Sequence, residues 1–273
     1  MPRDRPTPSK AIYDELKGAI DQGKLVVGDR IESELQLVDR HGVGRDAVRR
    51  ALTQLESHGL ITAATAQGRY VREFAPNTWT LSRFETGQRR DVPQQGIDEW
   101  AADMQSQGCT PAETVEVYNT KSPVRVAKYL GIAVGTRVYL RRRFRYADGE
   151  LMSVADTWMP EWVAERPATS ENGETMREEN GEVLYPFKAR YSLSLPGGLI
   201  RAVGLTQSYV EDRHYSRHPS PDEADVLGTN EPVAEVARIG YDPDDNPFRV
   251  MITVSPGHRL AARYVLRVGG DPE

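Results

Sequence analysis

The hydrophobic pattern changes character along the chain, from helical spacing near the N-terminus to alternation beyond about residue 110. Ile12, Leu16, Ala19 and Ile20 recur at three- and four-residue steps, which predicts a first helix over 9–22 with Gly23 as its stop. Residues 1–9, Pro-rich and polar, read as a flexible arm. Ser33-Glu34-Leu35-Gln36 has the capping-box pattern, so a second helix opens there with Leu35 and Val38 inward. His41-Gly42-Val43 makes a turn. Ala47, Val48, Ala51, Leu52 and Leu55 form the buried stripe of a third helix, from about Arg45 to Ser57, with Gly59 as its stop. Leu60–Thr62 and Arg69–Arg72 read as the two strands of a wing. Two helices at a turn followed by such a wing place one helix in a DNA major groove.

Periodicity fades from Glu73 to about Gln95, where Pro76, Gly87 and Pro93 occur, and this stretch reads as a linker. Trp100, Ala101 and Met104 predict a short helix ending at Gly108. Alternation follows: Val115/Val117, Val138/Leu140, Val154/Ala155, Val236/Ile239 and Val250/Ile252/Val254 read as strands. Two helices interrupt them. One starts at Ser122-Pro123, with Pro at the first helical position, and the other at the capping box Ser220-Pro221-Asp222-Glu223. Ala147-Asp148-Gly149-Glu150 reads as a hairpin turn. Residues 165–200, rich in Gly, Glu and Pro, form a long, poorly patterned insertion. The expected organisation is a winged helix-turn-helix over 1–72, a linker over 73–96, and an α+β domain around an antiparallel sheet over 97–273.

Composition narrows the class. At 273 residues, 38% hydrophobic and 27% charged, the chain fits a soluble two-domain protein. It has no apolar run of membrane-spanning length. Its start, MPRDRPTPSK, lacks the apolar core of a signal peptide. A single cysteine, Cys109, excludes disulfide frameworks and multi-cysteine zinc sites, and a reducing cytoplasm is the expected setting. The net charge of −5 is unevenly spread. Residues 1–75 carry twelve Lys/Arg against eleven Asp/Glu, and between Arg40 and Arg50 four arginines face only Asp46. The local field governs phosphate attraction, and so weakly charged a domain needs a second copy for useful affinity.

Residues 9–72 resemble the DNA-binding domain of GntR-type bacterial regulators through Leu25, Gly28-Asp29-Arg30, Ser33-Glu34, Leu37, Gly42-Val43, Arg45, Val48-Arg49, Ala51-Leu52, Leu55 and Gly59-Leu60. Residues 97–268 resemble the UTRA effector domain of the HutC subfamily. That match is carried by Leu130-Gly131, Gly135, Arg143-x-Arg145, Asp148-Gly149, Pro160, Pro221-x-Glu223, Leu227-Gly228, Pro232-Val233, Tyr241-Asp242 and Pro247. The second resemblance implies a chorismate-lyase-like fold. Together they imply a homodimeric, ligand-responsive repressor on a palindromic double-stranded operator, with half-sites beginning GT and ending AC and no cofactor. Three positions depart from the family pattern. Glu32 replaces Pro, Gly44 replaces a Ser that could reach phosphate, and the wing Ala66-Gln67-Gly68-Arg69-Tyr70-Val71 keeps only its second glycine.

A recognition helix offers its first turn to base edges, which nominates Arg45, Asp46 and Arg49, with Asp46 alternatively pairing Arg49 or Arg50 along the helix. An arginine paired bidentately with guanine is worth roughly 1–3 kcal/mol of discrimination. Arg30 is placed to reach a base or a phosphate. Arg50 and Arg69 are expected on the backbone, with Ser33, Gly44 and Gly68 framing the site. In the second domain Arg143 and Arg145, alternate residues of one strand, share a face and can converge on one anion. The acidic positions that the resemblance places near Ala155 and Arg249 lack carboxylates. An altered pocket is therefore expected, lined by Ser153, Asp156, Tyr209 and Arg249 beside Arg143 and Arg145, and suited to an acid or other anion.

Other signals carry less. His214-x3-His218 has two-ligand spacing only if helical, and no metal site is expected. Trp79, Trp100, Trp158 and Trp162 read as packing residues. Asp242-Pro243-Asp244-Asp245-Asn246 lacks the glycine and distal glutamate of a calcium loop and reads as a hairpin turn. A constitutive repressor whose second domain only dimerises stays open. An enzyme is disfavoured, because the chain shows no acid/base pair, nucleophile motif or phosphate loop, and fold alone does not imply activity.

Overall fold

The computed structural model describes residues 6–62, 66–72, 76–81, 99–193, 195 and 198–265. The chain divides into two compact units, one over residues 1–76 with 228–231, the other over 77–227 with 232–273.

The first unit holds α1 (Pro8–Asp21), α2 (Glu34–His41) and α3 (Arg45–Ser57) around one apolar core. Each terminus has a local cause. Thr7 caps α1, and Pro8 starts it where no N–H is needed. Ser33 and Gln36 complete the capping box of α2, and Gly42 closes that helix in the left-handed conformation. Leu37, not Leu35, is the buried residue of α2. The two lie roughly 200° apart around a helix, so only one can face the core. Leu37 is fully buried with Val38 packed beside it, and Leu35 is 57% exposed. The wing is present as bridges of Ile61 to Val71 and Arg30 to Tyr70. Its tip at 63–65 falls outside the described residues.

The second unit is built on six antiparallel strands in the order β2-β3-β4-β7-β6-β5. They are β2 (Pro111–Lys121), β3 (Arg137–Ala147), β4 (Glu150–Pro160), β5 (Tyr209–Arg217), β6 (Val233–Tyr241) and β7 (Pro247–Pro256). Asp148 (φ 50) and Gly149 (φ 80) make the expected tight turn between β3 and β4. Asp242 caps the β6–β7 turn by accepting from the N–H groups of Asp244 and Asn246. One sheet face carries α5 (Val124–Leu130) and α6 (Pro221–Leu227). Pro123 proves to be the N-cap of α5, its backbone still extended at ψ 159, and Val124 takes the first helical position.

The other face is covered by α4 (Glu99–Ser106) and by a two-stranded parallel ribbon of β1 (Asn77–Thr80) and β8 (Leu260–Arg263). Thus residues 77–80, within the stretch expected as linker, are a strand of the second unit. Four residues are too few for alternation to stand out, and their partner lies far along the sequence. Residues 73–75 and 82–98 lie outside the described residues. The 165–200 segment, patternless in sequence, packs around Ala168, Leu184 and Ala202. Trp79 and Trp100 are core residues as expected, whereas Trp162 is 51% exposed.

Candidate DNA interface and ligand site

Among the described residues the outward side of the first turn of α3 is exposed. Gly44, its N-cap, has extended φ/ψ and makes no side-chain cap bond. Arg45, Asp46, Arg49 and Arg50 are exposed, while Ala47 and Val48 turn to the core. The 3.6-residue repeat produces this split. Arg49 is 61% exposed at its side chain and donates from Nε to Glu34 at 3.1 Å, which orients it across the turn. This bond holds the Glu34 carboxyl below its ordinary pKa. Asp46 makes no hydrogen bond or ion pair with Arg49 or Arg50 among the described residues, so Glu34 fills the orienting role considered for Asp46.

Four other nominated residues serve the frame of this site. The Ser33 hydroxyl bonds to Gln36 in the capping box. Arg69, expected on the DNA backbone, is turned inward, 17% exposed, and bonds to Glu56 and to Glu34 at 3.4 Å. Two carboxylates, one on α2 and one on α3, outcompete solvent for it and tie the wing to both helices. Arg30 is exposed, with its guanidinium laid along Gly68. A Cβ at Gly68, where φ is +113°, would stand 2.9 Å from the Arg30 Nε, so glycine is needed for this approach. The departing Glu32 pairs with Arg40 at 2.7 Å.

In the second unit Arg143 and Arg145 share a sheet face as expected, but they converge on the protein's own anion. Glu113 lies directly across from Arg145 in the β2–β3 register. Its Oε2 is 3.4 Å from the Arg145 Nε and 3.8 Å from an Arg143 nitrogen. Arg145 is 3% exposed at its side chain and lies 5.0 Å from the Trp79 ring and 5.4 Å from the Trp100 ring. Sequence reading missed Glu113. The alternation Glu113/Val115/Val117 places it on the right face, but only the register shows which arginine it meets.

The rest of the expected pocket does not assemble. Asp156 pairs with Arg142 through two bonds of 2.8 and 2.7 Å on the opposite face. Adjacent Ala155 is the residue in register with Arg143, and one step along a strand reverses the face. Tyr209 is likewise on the opposite face, stacked on Tyr241 at 4.7 Å. Arg249 shares the face of Arg143 but lies four residues, about 13 Å, along β7 from Thr253, the residue whose row includes Arg143. It donates to Gln207 instead. Ser153 does sit in register with Arg145, fully buried, its hydroxyl without a hydrogen-bond partner. His214 lies on strand β5, which rules out the helical spacing a His214/His218 metal pair would need. Its Nε2 bonds the Tyr264 hydroxyl, which donates to Asp212.

The described cavity of about 280 Å³ lies on the same face but over β5, β6 and β7. Its floor includes His214, Ser216, Val236, Thr253 and Ser255, and the β1–β8 ribbon closes it with Trp79, Leu260 and Ala262. Thr253 is 3% exposed, and neither its hydroxyl nor the Trp79 indole N–H has a hydrogen-bond partner. Arg238, one row further, is held by Asp212 through two bonds of 2.8 and 2.7 Å. Burial would raise the Asp212 pKa, but this guanidinium, aided by Tyr264, holds it below the ordinary value.

Residues 8–71 match the bacterial regulatory proteins of the gntR family, and residues 107–179 match the UTRA domain. The HTH-type transcriptional regulator Rv0792c of Mycobacterium tuberculosis is 27% identical over 265 residues, 95% of this chain and 84% of its own. The HTH-type transcriptional repressor NagR of Bacillus subtilis is 23% identical, over 91% of this chain and 90% of its own. The crystal structure of PhnF from Mycobacterium smegmatis shares the fold, with a TM-score of 0.53 at 19% identity over 94% of this chain and 100% of that one. Among the described residues no helix is long and apolar enough to cross a membrane. The family and the names of these relatives point to a regulator rather than an enzyme. The chain carries a DNA-binding winged helix-turn-helix of the gntR family followed by a UTRA domain, the make-up of a DNA-binding transcription regulator.

Proposed function

We propose that the protein is a cytoplasmic, ligand-responsive repressor of the HutC subfamily that binds a palindromic operator as a homodimer. The observation that carries the DNA reading is the exposed first turn of α3, with Arg45 and Arg49 outward over a buried Ala47-Val48 pair. One such turn offers few base contacts, and a two-fold repeat doubles them. The repressor sense is supported by the likeness to NagR, itself named a repressor. Ligand response is supported by the cavity and its unpartnered hydroxyl. A ligand that favours one state of the dimer would shift operator affinity by its differential binding energy, commonly about 1–3 kcal/mol. A gel shift on the DNA upstream of the protein's own gene, beside an Arg45→Ala/Arg49→Ala variant, tests the reading. A sharp shift that the folded variant retains would overturn it.

The constitutive alternative has one specific support, Glu113, whose carboxylate already occupies the arginine pair expected to hold an effector. The two readings separate on operator complexes challenged with metabolite pools, since only the ligand-responsive protein changes its affinity.

A further inference from the structure

The geometry points to an uncharged, hydrogen-bonding molecule of one or two rings as the occupant of the cavity over β5, β6 and β7, with Trp79 and Thr253 as its polar anchors. The inference rests on the reading of the second domain as a ligand-binding module and names the chemistry of that ligand.

Size comes first. A volume of about 280 Å³ is roughly twice that of a dry cavity which takes up benzene, and it stands at the small end of ligand sites. Charge comes second. Among the described residues no Lys, Arg, Asp or Glu side chain faces this cavity. Glu235 borders it, but its carboxylate points through the sheet to Arg125 and Arg217 on the opposite face. The nearest cations on the cavity's own face already hold carboxylates of the chain. Arg238 is bound to Asp212, and Arg143 and Arg145, on a strand two removed from β7, share Glu113, with the Arg143 guanidinium also reaching the Met251 sulfur on β7 at 3.3 Å. An anionic ligand would enter a cavity with no Lys or Arg among its lining residues and lose its hydration, which a low-dielectric wall does not replace.

Hydrogen bonding comes third. Thr253 lines the floor and Trp79 the cover, and among the described residues neither the buried Thr253 hydroxyl nor the buried Trp79 indole N–H has a hydrogen-bond partner. Buried polar groups are rarely left so. A ligand carbonyl or hydroxyl can accept from Trp79 and exchange a bond with Thr253. Val236 and Leu260 supply apolar contact for a ring. The cover is itself informative, because Trp79 lies on β1, directly after the winged unit in sequence. A ligand bonded to Trp79 orders the strand that follows the DNA-binding domain.

The test uses the full chain and two probes of matched shape, benzamide and benzoate, with melting temperature as the readout. Benzamide is expected to raise the melting temperature in a concentration-dependent way, by a few degrees at about ten times its Kd. Benzoate at the same concentrations is expected to leave it unchanged. Thr253→Val, which exchanges the hydroxyl for a methyl, weakens the benzamide effect several-fold, and Ala234→Leu fills the cavity and abolishes it. If Ala234→Leu fails to fold, the Thr253→Val arm still decides. A benzoate shift matching that of benzamide, no benzamide shift, or a benzamide shift unchanged in Thr253→Val would each overturn the inference. Operator gel shifts on the same preparations separate the two levels. With any of those outcomes, an operator affinity that still changes under metabolite pools removes the ligand class alone, whereas an affinity that no pool changes removes the ligand-responsive reading.

Discussion

Two arginine pairs at close spacing, one on a helix and one on a strand, meet opposite fates in this molecule. On α3 the pair Arg45 and Arg49 is solvent-facing, and the bond from Arg49 to Glu34 leaves that side chain 61% exposed. On β3 the pair Arg143 and Arg145 is 15% and 3% exposed, and both members meet Glu113. The helix turns its charged residues out because the same repeat that buries Ala47 and Val48 points Arg45 and Arg49 away. The strand pair faces inward because alternation gives it the same face as the covered side of the sheet. A charge that keeps its water can be delivered to phosphate and guanine. One already paired under two indole rings is part of the scaffold. The same residue type therefore supports a binding site in one domain and a structural one in the other.

The comparison breaks most sharply at the helix. Arg45→Ala/Arg49→Ala is expected to cost operator affinity roughly 2–6 kcal/mol, two bidentate contacts at about 1–3 each, while circular dichroism and melting temperature stay near those of the parent. Glu113→Ala should behave in the opposite manner. It leaves two buried guanidinium groups without their shared carboxylate, a loss of about 3–5 kcal/mol, visible as a fall of the order of 10 °C in the melting of a domain this size. Operator affinity of the remaining folded protein should change little. If Glu113→Ala melts like the parent, the β3 pair is not structural and the contrast collapses.

A smaller effect separates the domains in acid. Glu223 accepts two bonds of 2.7 Å from Arg217, and this guanidinium pulls its pKa from 4.5 down to about 2. A carboxylate depressed on folding contributes stability that is present above pH 4.5 and lost as the pH falls through about 2. Allowing for partial solvent screening, the contribution is on the order of 1 kcal/mol. Glu223→Gln keeps one acceptor oxygen for the capping bond to the Ser220 N–H and drops the charge together with the second acceptor that Arg217 uses. Its stability curve should be flatter than that of the parent across that window. An unchanged slope would remove the ion pair from the account.

The two domains also differ in how much of them the sequence discloses. In the winged unit the cap, turn, stripe and stop of each helix are local, so Ser33, Gly42, Ala51 and Gly59 could be placed without knowing any partner. Leu35 is the exception, because choosing between it and Leu37 depends on which side of the helix the core lies. In the second unit every site depends on register. Asp156 and Ala155 are adjacent in sequence and on opposite faces in the sheet, and only pairing to Arg142 and Arg143 tells which is which. Glu113, Trp79 and Thr253 come from three distant segments, and none carries a motif. Helical sites are written in short-range spacing, and sheet sites in long-range pairing.

The finest test of the contrast lies at Gly44. Its φ of −70° and ψ of 153° are open to any residue, and a Cβ there meets nothing within 4 Å. Serine fits this position without strain. Gly44→Ser supplies the side-chain acceptor that α3 lacks, a gain of a few tenths of a kcal/mol over glycine as an N-cap. The same hydroxyl stands beside Arg45 on the exposed turn, where it can donate to a backbone phosphate, a contact that positions without reading sequence. The expected result is a melting temperature raised by about a degree or less and operator affinity improved about equally across operator variants. If affinity improves at only one base position, Gly44 lies closer to the base edges than to the phosphates. Arg45 would then be displaced from the role in base reading assigned to it.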